Sequence, residues 1–219
     1  MVYIAVAITS TTSDQELKDI DLATSQDPDM IELRIDYLKD LNEHTLEKLL
    51  RHCKLPVVVT NRHKNEAGSD SNAGFRGSED QRIGYLEQAI ALGAEYVDIE
   101  GRCYRVLDKK KTQLIVSYHD FEKTPANLEG LYKSIKNITT ADVIKFATKA
   151  NSEEDVRRII AVIEQANKDN IPIIGIGVGE LGEKTRLHKG NYVTYACLTP
   201  EQASAPGQFT VAQLRERLG

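Results

Sequence analysis

A (β/α)8 barrel is the fold class this sequence predicts, on three observations. Short β-branched runs alternate with helix-period segments along the chain, the runs are apolar on both faces, and their starts lie about one βα unit apart. Strands of that kind are parallel and sandwiched by helices, and eight such units close into a barrel. A doubly wound open sheet is the competing arrangement. The 219 residues suit one unit of this class, spanning 1–219, since no linker, low-complexity tract or composition break divides them.

The strand candidates follow in order. VYIAVAIT (2–9) opens the series; with no basic residue before it and no long apolar core, it reads as a buried strand rather than a signal peptide. MIELRID (30–36), PVVVTN (56–61), EYVDIE (95–100), QLIVSYH (113–119), DVIKFAT (142–148), IPIIGIG (171–177) and YVTYACL (192–198) complete it. Helical periodicity occupies DQELKDIDLATS (14–25), LNEHTLEKLLRHC (41–53), SEDQRIGYLEQAIALG (78–93), NLEGLYKSIKN (127–137), SEEDVRRIIAVIEQANKDN (152–170) and GQFTVAQLRERL (207–218). It is weakest in GRCYRVLDKKK (101–111) and ELGEKTRLHKG (180–190). The longest irregular stretches, 60–78 and 199–208, follow the third and eighth strands at their carboxyl ends, where barrels place binding loops.

Composition excludes several functions. Hydrophobic residues make up 41% and charged residues 28%, and no apolar run approaches the ~20 residues of a membrane-spanning helix. The net charge of −5 and the lack of a basic cluster exclude a nucleic-acid partner. Cys53, Cys103 and Cys197 are odd in number and widely spaced, which fits reduced, cytoplasmic thiols rather than a disulfide framework or zinc site. No HxxxH or His/Cys/Asp cluster supports a metal.

Strand parity then sorts the charges. In MIELRID, Ile31, Leu33 and Ile35 share the helix-facing side, which turns Glu32, Arg34 and Asp36 into the barrel. EYVDIE sends Asp98 and Glu100 inward, QLIVSYH sends Ile115, Ser117 and His119, and DVIKFAT sends Val143, Lys145 and Ala147. Mutually satisfied ion pairs are the plain account of such charges, and for Glu32 with Arg34 alone they suffice. A lysine and a histidine at neighbouring strand ends, with Arg34 and Arg62 converging on the same mouth, call for a reactive centre.

A lysine among cations and apolar wall loses its proton readily, at a pKa of ~7–8, and its free amine attacks carbonyls to form a Schiff base. Lys149 shares that parity but lies past the strand end, and is the second choice. His119, with an ordinary pKa of ~6.5, suits removal and return of a proton. GVGELG matches the dinucleotide fingerprint at Gly177, Gly179 and Gly182, but no acidic residue ends the following strand; a turn with close backbone approach, leading Arg186 to the mouth, is the better reading.

ELRIDYL, TNRHKNEAG, the histidine of SYHDF, the lysine of DVIKFAT, the arginine of GEKTRL and the closing ASAPGQ together resemble type I 3-dehydroquinate dehydratase. The resemblance runs in order from the second strand to the last helix. It departs at Thr185, where the family commonly has serine, and near Val178, where it has methionine.

The resemblance implies a (β/α)8 catalytic domain, a homodimer, that converts 3-dehydroquinate to 3-dehydroshikimate by syn elimination with no cofactor and no metal. It makes Lys145 the Schiff-base lysine, His119 the acid/base and Glu66 its support. Glu32, Arg34 and Arg62 would hold ring hydroxyls and balance charge, while Arg186, Ser204 and Gln208 receive the carboxylate and close the site. The rivals are a class I Schiff-base aldolase, with the Gly-rich turn as phosphate site, and a barrel that binds a small carboxylate without turning it over.

Overall fold

The computed structural model describes residues 1–203 and 207–219. All eight strand candidates form: β1 (Tyr3–Ile8), β2 (Met30–Arg34), β3 (Val57–Thr60), β4 (Tyr96–Glu100), β5 (Gln113–Asp120), β6 (Val143–Lys149), β7 (Ile173–Val178) and β8 (Val193–Cys197). A two-residue β9 (Phe209–Thr210) adds to the outer side of β8. Every ladder is parallel, and the order β7-β6-β5-β4-β3-β2-β1-β8 follows the chain with β1 between β2 and β8. An open doubly wound sheet would reverse its strand order at a switch point. This one curls instead.

β7 and β8 share no regular ladder, and the barrel is closed there by other means. The Tyr192 amide donates to the Ile173 carbonyl at 2.7 Å. The buried Asn191 side chain accepts from the Gly175 amide and donates to the Thr185 carbonyl, each at 2.7 Å. A side-chain amide has a donor and an acceptor on one plane, so it can stand in for a missing peptide unit.

Parity sets the layers. Ile31, Leu33, Val97, Ile99, Ile144 and Phe146 face outward into the large core shared with the helices, while Ala5, Ala7, Val58, Ile115, Val143 and Ala147 fill the barrel interior. The helices are α1 (Ser13–Ser25), α2 (Glu43–His52), α3 (Glu79–Ala91), α4 (Leu128–Ile138), α5 (Glu153–Lys168), α6 (Glu183–Arg186) and α7 (Val211–Leu218). Several start on a side-chain cap that satisfies an otherwise orphaned amide: Asn42 for α2, Ser78 for α3, Ser152 for α5 and Thr210 for α7.

One expected helix is absent. GRCYRVLDKKK forms only a 3-10 turn at Gly101–Cys103 and then runs irregularly to β5. Leu107 is its one buried residue, so no apolar stripe exists to hold a helix against the sheet. The segment is pinned by Lys109, whose ammonium donates to Asp142 at 2.7 Å, and by the Tyr104 hydroxyl, which meets Thr140 at 3.0 Å. The other weak segment holds the four-residue α6.

Asn191→Ala leaves the Gly175 amide buried and unpaired and takes one donor from the Thr185 carbonyl, which keeps the His188 amide, at a cost of about 1–3 kcal/mol. Thermal unfolding should then shift down by roughly 2–12 °C, at ~2–4 °C per kcal/mol for a chain of this size. An unchanged midpoint would show that the seam is held elsewhere.

Candidate active site

Lys145 lies near the middle of β6, its side chain directed into the barrel and only 6% exposed as a residue. β6 pairs β5 with Ser117 opposite Lys145 and His119 opposite Ala147. His119 thus sits two residues further toward the carboxyl end on the adjoining strand, roughly 8 Å away between Cα positions, from strand spacing and rise. Both side chains occupy the inner face, as parity requires.

The surroundings of Lys145 overturn the expected electrostatics. Its ammonium donates to Asp98 Oδ2 at 3.0 Å, to the Tyr195 hydroxyl at 3.2 Å and to Glu32 Oε1 at 3.4 Å. Burial alone would strip the proton; the facing Asp98 and Glu32 carboxylates outweigh it and hold the amine above its ordinary pKa. The amine is therefore not tuned toward 7–8. Its cationic neighbour Arg62 is already neutralised: Nη1 donates to Asp98, Glu100 and Ser117 at 2.8–2.9 Å, and Nη2 donates to Asp98 at 3.0 Å. Arg82, fully buried on α3, pairs with Glu100 at 2.8 Å and with Glu79 through two hydrogen bonds.

His119 also departs from its ordinary value. Burial first, then the positive charges of Arg62 and Lys145, hold its pKa well below 6.5, so the imidazole is a neutral base at physiological pH. Its backbone amide donates to Glu66 Oε2 at 2.8 Å, and the same oxygen lies 3.3 Å from His119 Nδ1. The ring stacks on Phe121 with centroids 6.1 Å apart. Burial pushes the Glu66 carboxyl up to about 7, against the pull of the His119 amide and Arg62.

The loop after β3 carries Arg62 and Glu66 and is tied down at both ends. The His63 amide donates to Glu100 Oε1 at 2.9 Å, and the Gly74 amide donates to Asp36 Oδ2 at 2.9 Å. Asp36 also takes the Nε and Nη2 hydrogens of Arg34, at 2.9 and 2.8 Å. Arg34 is thus committed to Asp36 and stacks over Tyr37 at 4.9 Å, while Glu32 accepts from Thr60 at 2.8 Å.

Arg186, in α6, is 2% exposed, and its Nε has no hydrogen-bond partner among the described residues. It forms no ion pair among the described residues, and burial pushes its pKa down to about 10. The Gly-rich turn makes the close approach expected of it: a Cβ at Gly182 would fall 2.1 Å from the Gly177 carbonyl oxygen, and Gly179 has φ +101°. The Thr185 hydroxyl accepts from the Gly177 amide and donates to the Gly182 carbonyl, both at 2.7 Å, so it serves where serine is common. Gly207, beside Gln208, packs close to the Gly179 carbonyl, which brings the closing segment against this turn. Ser204 lies outside the described residues.

Above these groups, at the carboxyl ends of the strands, opens a cavity of about 580 Å³ whose wall includes His119, Phe121, Arg102, Lys149 and Val178. Lys145 is not on that wall; it lies four residues before Lys149 along β6, further into the barrel. The interior carboxylates were visible in the strand parity, but Tyr195 was missed; alternation in YVTYACL puts it on the inner face with Val193. Arg82 offered no sequence signal, being a charged residue in an ordinary amphipathic helix.

Against the expectation from spacing, the fold gathers ligand-type atoms of His63, Glu79 and Cys103 within 4.8 Å of one another. Two of them are in use: Glu79 accepts two of the hydrogen bonds of Arg82, and His63 Nδ1 accepts from the Asn65 amide, while burial raises the Cys103 thiol.

The family described as Type I 3-dehydroquinase matches residues 4–219. A 3-dehydroquinate dehydratase of Methanocaldococcus jannaschii is 38% identical over 199 residues, covering 86% of this chain and 85% of that protein. One from Methanococcus vannielii is 37% identical over 201 residues, covering 87% of each. The crystal structure of 3-dehydroquinate dehydratase from Geobacillus kaustophilus superposes with a TM-score of 0.86 at 26% identity, over 100% of this chain and 90% of that one. A buried barrel lysine beside a neutral histidine, in a chain matched almost end to end, places this protein in the type I 3-dehydroquinase family.

Proposed function

We propose that the protein dehydrates 3-dehydroquinate to 3-dehydroshikimate through a Schiff base on Lys145. The observation that carries this reading is the inward placement of Lys145 with His119 beside it on the adjoining strand, below an open mouth. Family membership supports it. Lys145 Nζ, after losing its proton, adds to the ring ketone, and loss of water gives an iminium. That group withdraws electrons from the adjacent carbon. Neutral His119 removes a proton there, and the resulting enamine expels the tertiary hydroxyl, which His119 protonates to leave as water. Hydrolysis frees the product and the amine.

The remaining roles are those the family resemblance implies, with the contacts as support. Glu66 fixes the His119 ring and backbone, Arg62 balances Asp98 and Glu100, and Glu32 and Arg34 meet the ring hydroxyls from β2. Arg186 receives the substrate carboxylate with Ser204 and Gln208, since a buried guanidinium with a free Nε is a ready partner for an anion. The same reading makes residues 1–219 one catalytic barrel domain, cytoplasmic and homodimeric, with no cofactor. The thiols are free, and no helix among the described residues is long and apolar enough to cross a membrane. A class I aldolase shares the lysine chemistry; conjugated-enone absorbance on mixing with dehydroquinate distinguishes the two.

Borohydride reduction during turnover should trap a covalent adduct that mass mapping locates on Lys145 and that Lys145→Ala abolishes. Persistent labelling in that variant would move the nucleophile to Lys149 or elsewhere. Arg186→Ala should raise KM by about 10–100-fold, the value of one or two charge-assisted hydrogen bonds, with a smaller fall in kcat. The reverse pattern would remove Arg186 from carboxylate capture.

Because Asp98 and Glu32 raise the Lys145 pKa, the free-amine fraction grows about tenfold per pH unit throughout the neutral range. His119, lowered, adds no acid limb until well below pH 6.5. The trapping rate at saturating substrate should therefore keep climbing from pH 6.5 to 9, and a plateau beginning at 7–8 would show an amine already released.

A further inference from the structure

We propose that Tyr195 is a positioning residue for Lys145, holding Nζ through its hydroxyl and its ring in both the charged and uncharged forms of the amine. The inference rests on the Schiff-base reading above. Tyr195 projects from β8 across the interior, buried at 6% exposure, with its hydroxyl 3.2 Å from Nζ and its ring centroid 4.4 Å from it.

The argument turns on what each neighbour of Nζ can do. An ammonium has three N–H donors and no acceptor, and Asp98, Glu32 and Tyr195 supply one oxygen to each. The first two are carboxylates, which only accept. Once the nitrogen loses its proton it carries a lone pair that no carboxylate can satisfy, and two anions then face it. A phenol both donates and accepts. Tyr195 accepts from the ammonium, and by rotating its O–H it donates to the amine; among the described residues it is the hydroxyl bonded to Nζ.

The ring adds a second effect. Its face attracts a cation, so it favours ammonium and iminium alike and keeps the nitrogen aimed along the interior rather than toward either carboxylate. Tyr195 has no such relation to Arg186, the group assigned to the carboxylate, so its loss should slow chemistry rather than weaken capture.

Two variants separate hydroxyl from ring: Tyr195→Phe keeps the face, and Tyr195→Leu removes both. Single-turnover formation of the borohydride-trapped adduct, steady-state kcat and KM, and the thermal midpoint are read on each. Y195F should lower adduct formation and kcat by about 10-fold, the worth of one hydrogen bond at the reacting atom, with KM within about twofold. Y195L should lower both by roughly 100-fold. Wild-type adduct formation and kcat in Y195F would overturn the proposal, as would losses in KM and kcat alike that track a fall in the midpoint. If Y195L does not fold, Y195F decides alone. A wild-type protein with no trapped adduct defeats the Schiff-base reading and this inference together, whereas a labelled Lys145 with an indifferent Y195F defeats this one only.

Discussion

The ion cluster around Asp98 is the constraint on which the rest of the barrel interior depends. Asp98 is fully buried and accepts from Arg62 on both oxygens, from Ser117 and from Lys145. No single pair here would repay desolvation, because removing two charges from water costs several kcal/mol per ion. The network survives by closing on itself. Glu32, Asp98 and Glu100 face Lys145, Arg62 and Arg82, three acids against three bases drawn from β2, β4, β6, the loop after β3, and α3. Each of those elements is thereby held in register by the others.

This balance explains how one lysine can be stored deep in a hydrophobic fold and remain available for chemistry. Charge-neutral surroundings let it stay protonated without straining the barrel. Release of the proton is then coupled to whatever displaces it from Asp98 and Glu32. His119, by contrast, is kept neutral by burial first and then by the positive charges of Arg62 and Lys145, which Asp98 only partly offsets. Two titratable groups on neighbouring strands thus shift in opposite directions, His119 chiefly by burial and Lys145 by its carboxylates, which is how an acid and a base come to coexist.

The scaffold follows from where backbone groups find partners. Parallel strands pair in chain order except at the β7–β8 seam, where Asn191 supplies the missing donor and acceptor. The Gly177–Gly182 approach lets the chain turn tightly there and sets Arg186 on a helix of only four residues. A side chain at Gly182 would clash with the Gly177 carbonyl and force this turn open.

The sequence by itself determined the eight strands and the face each side chain takes, and hence that Glu32, Asp98, Lys145 and His119 share the interior side, because a period of two puts them on the parity opposite to the helix-facing apolar residues. It could not show that GRCYRVLDKKK lacks a helix, since only the fold reveals that Leu107 is its one buried residue and that Lys109 is drawn to the distant Asp142. Nor could it weigh Lys145 against its surroundings. A pKa depends on which oxygens lie within a few ångströms, and those come from strands distant in the chain: Glu32, Asp98 and Tyr195. Only the tertiary structure decided that the lysine sits among acids rather than cations, because Arg62 was already spoken for by Asp98 and Glu100.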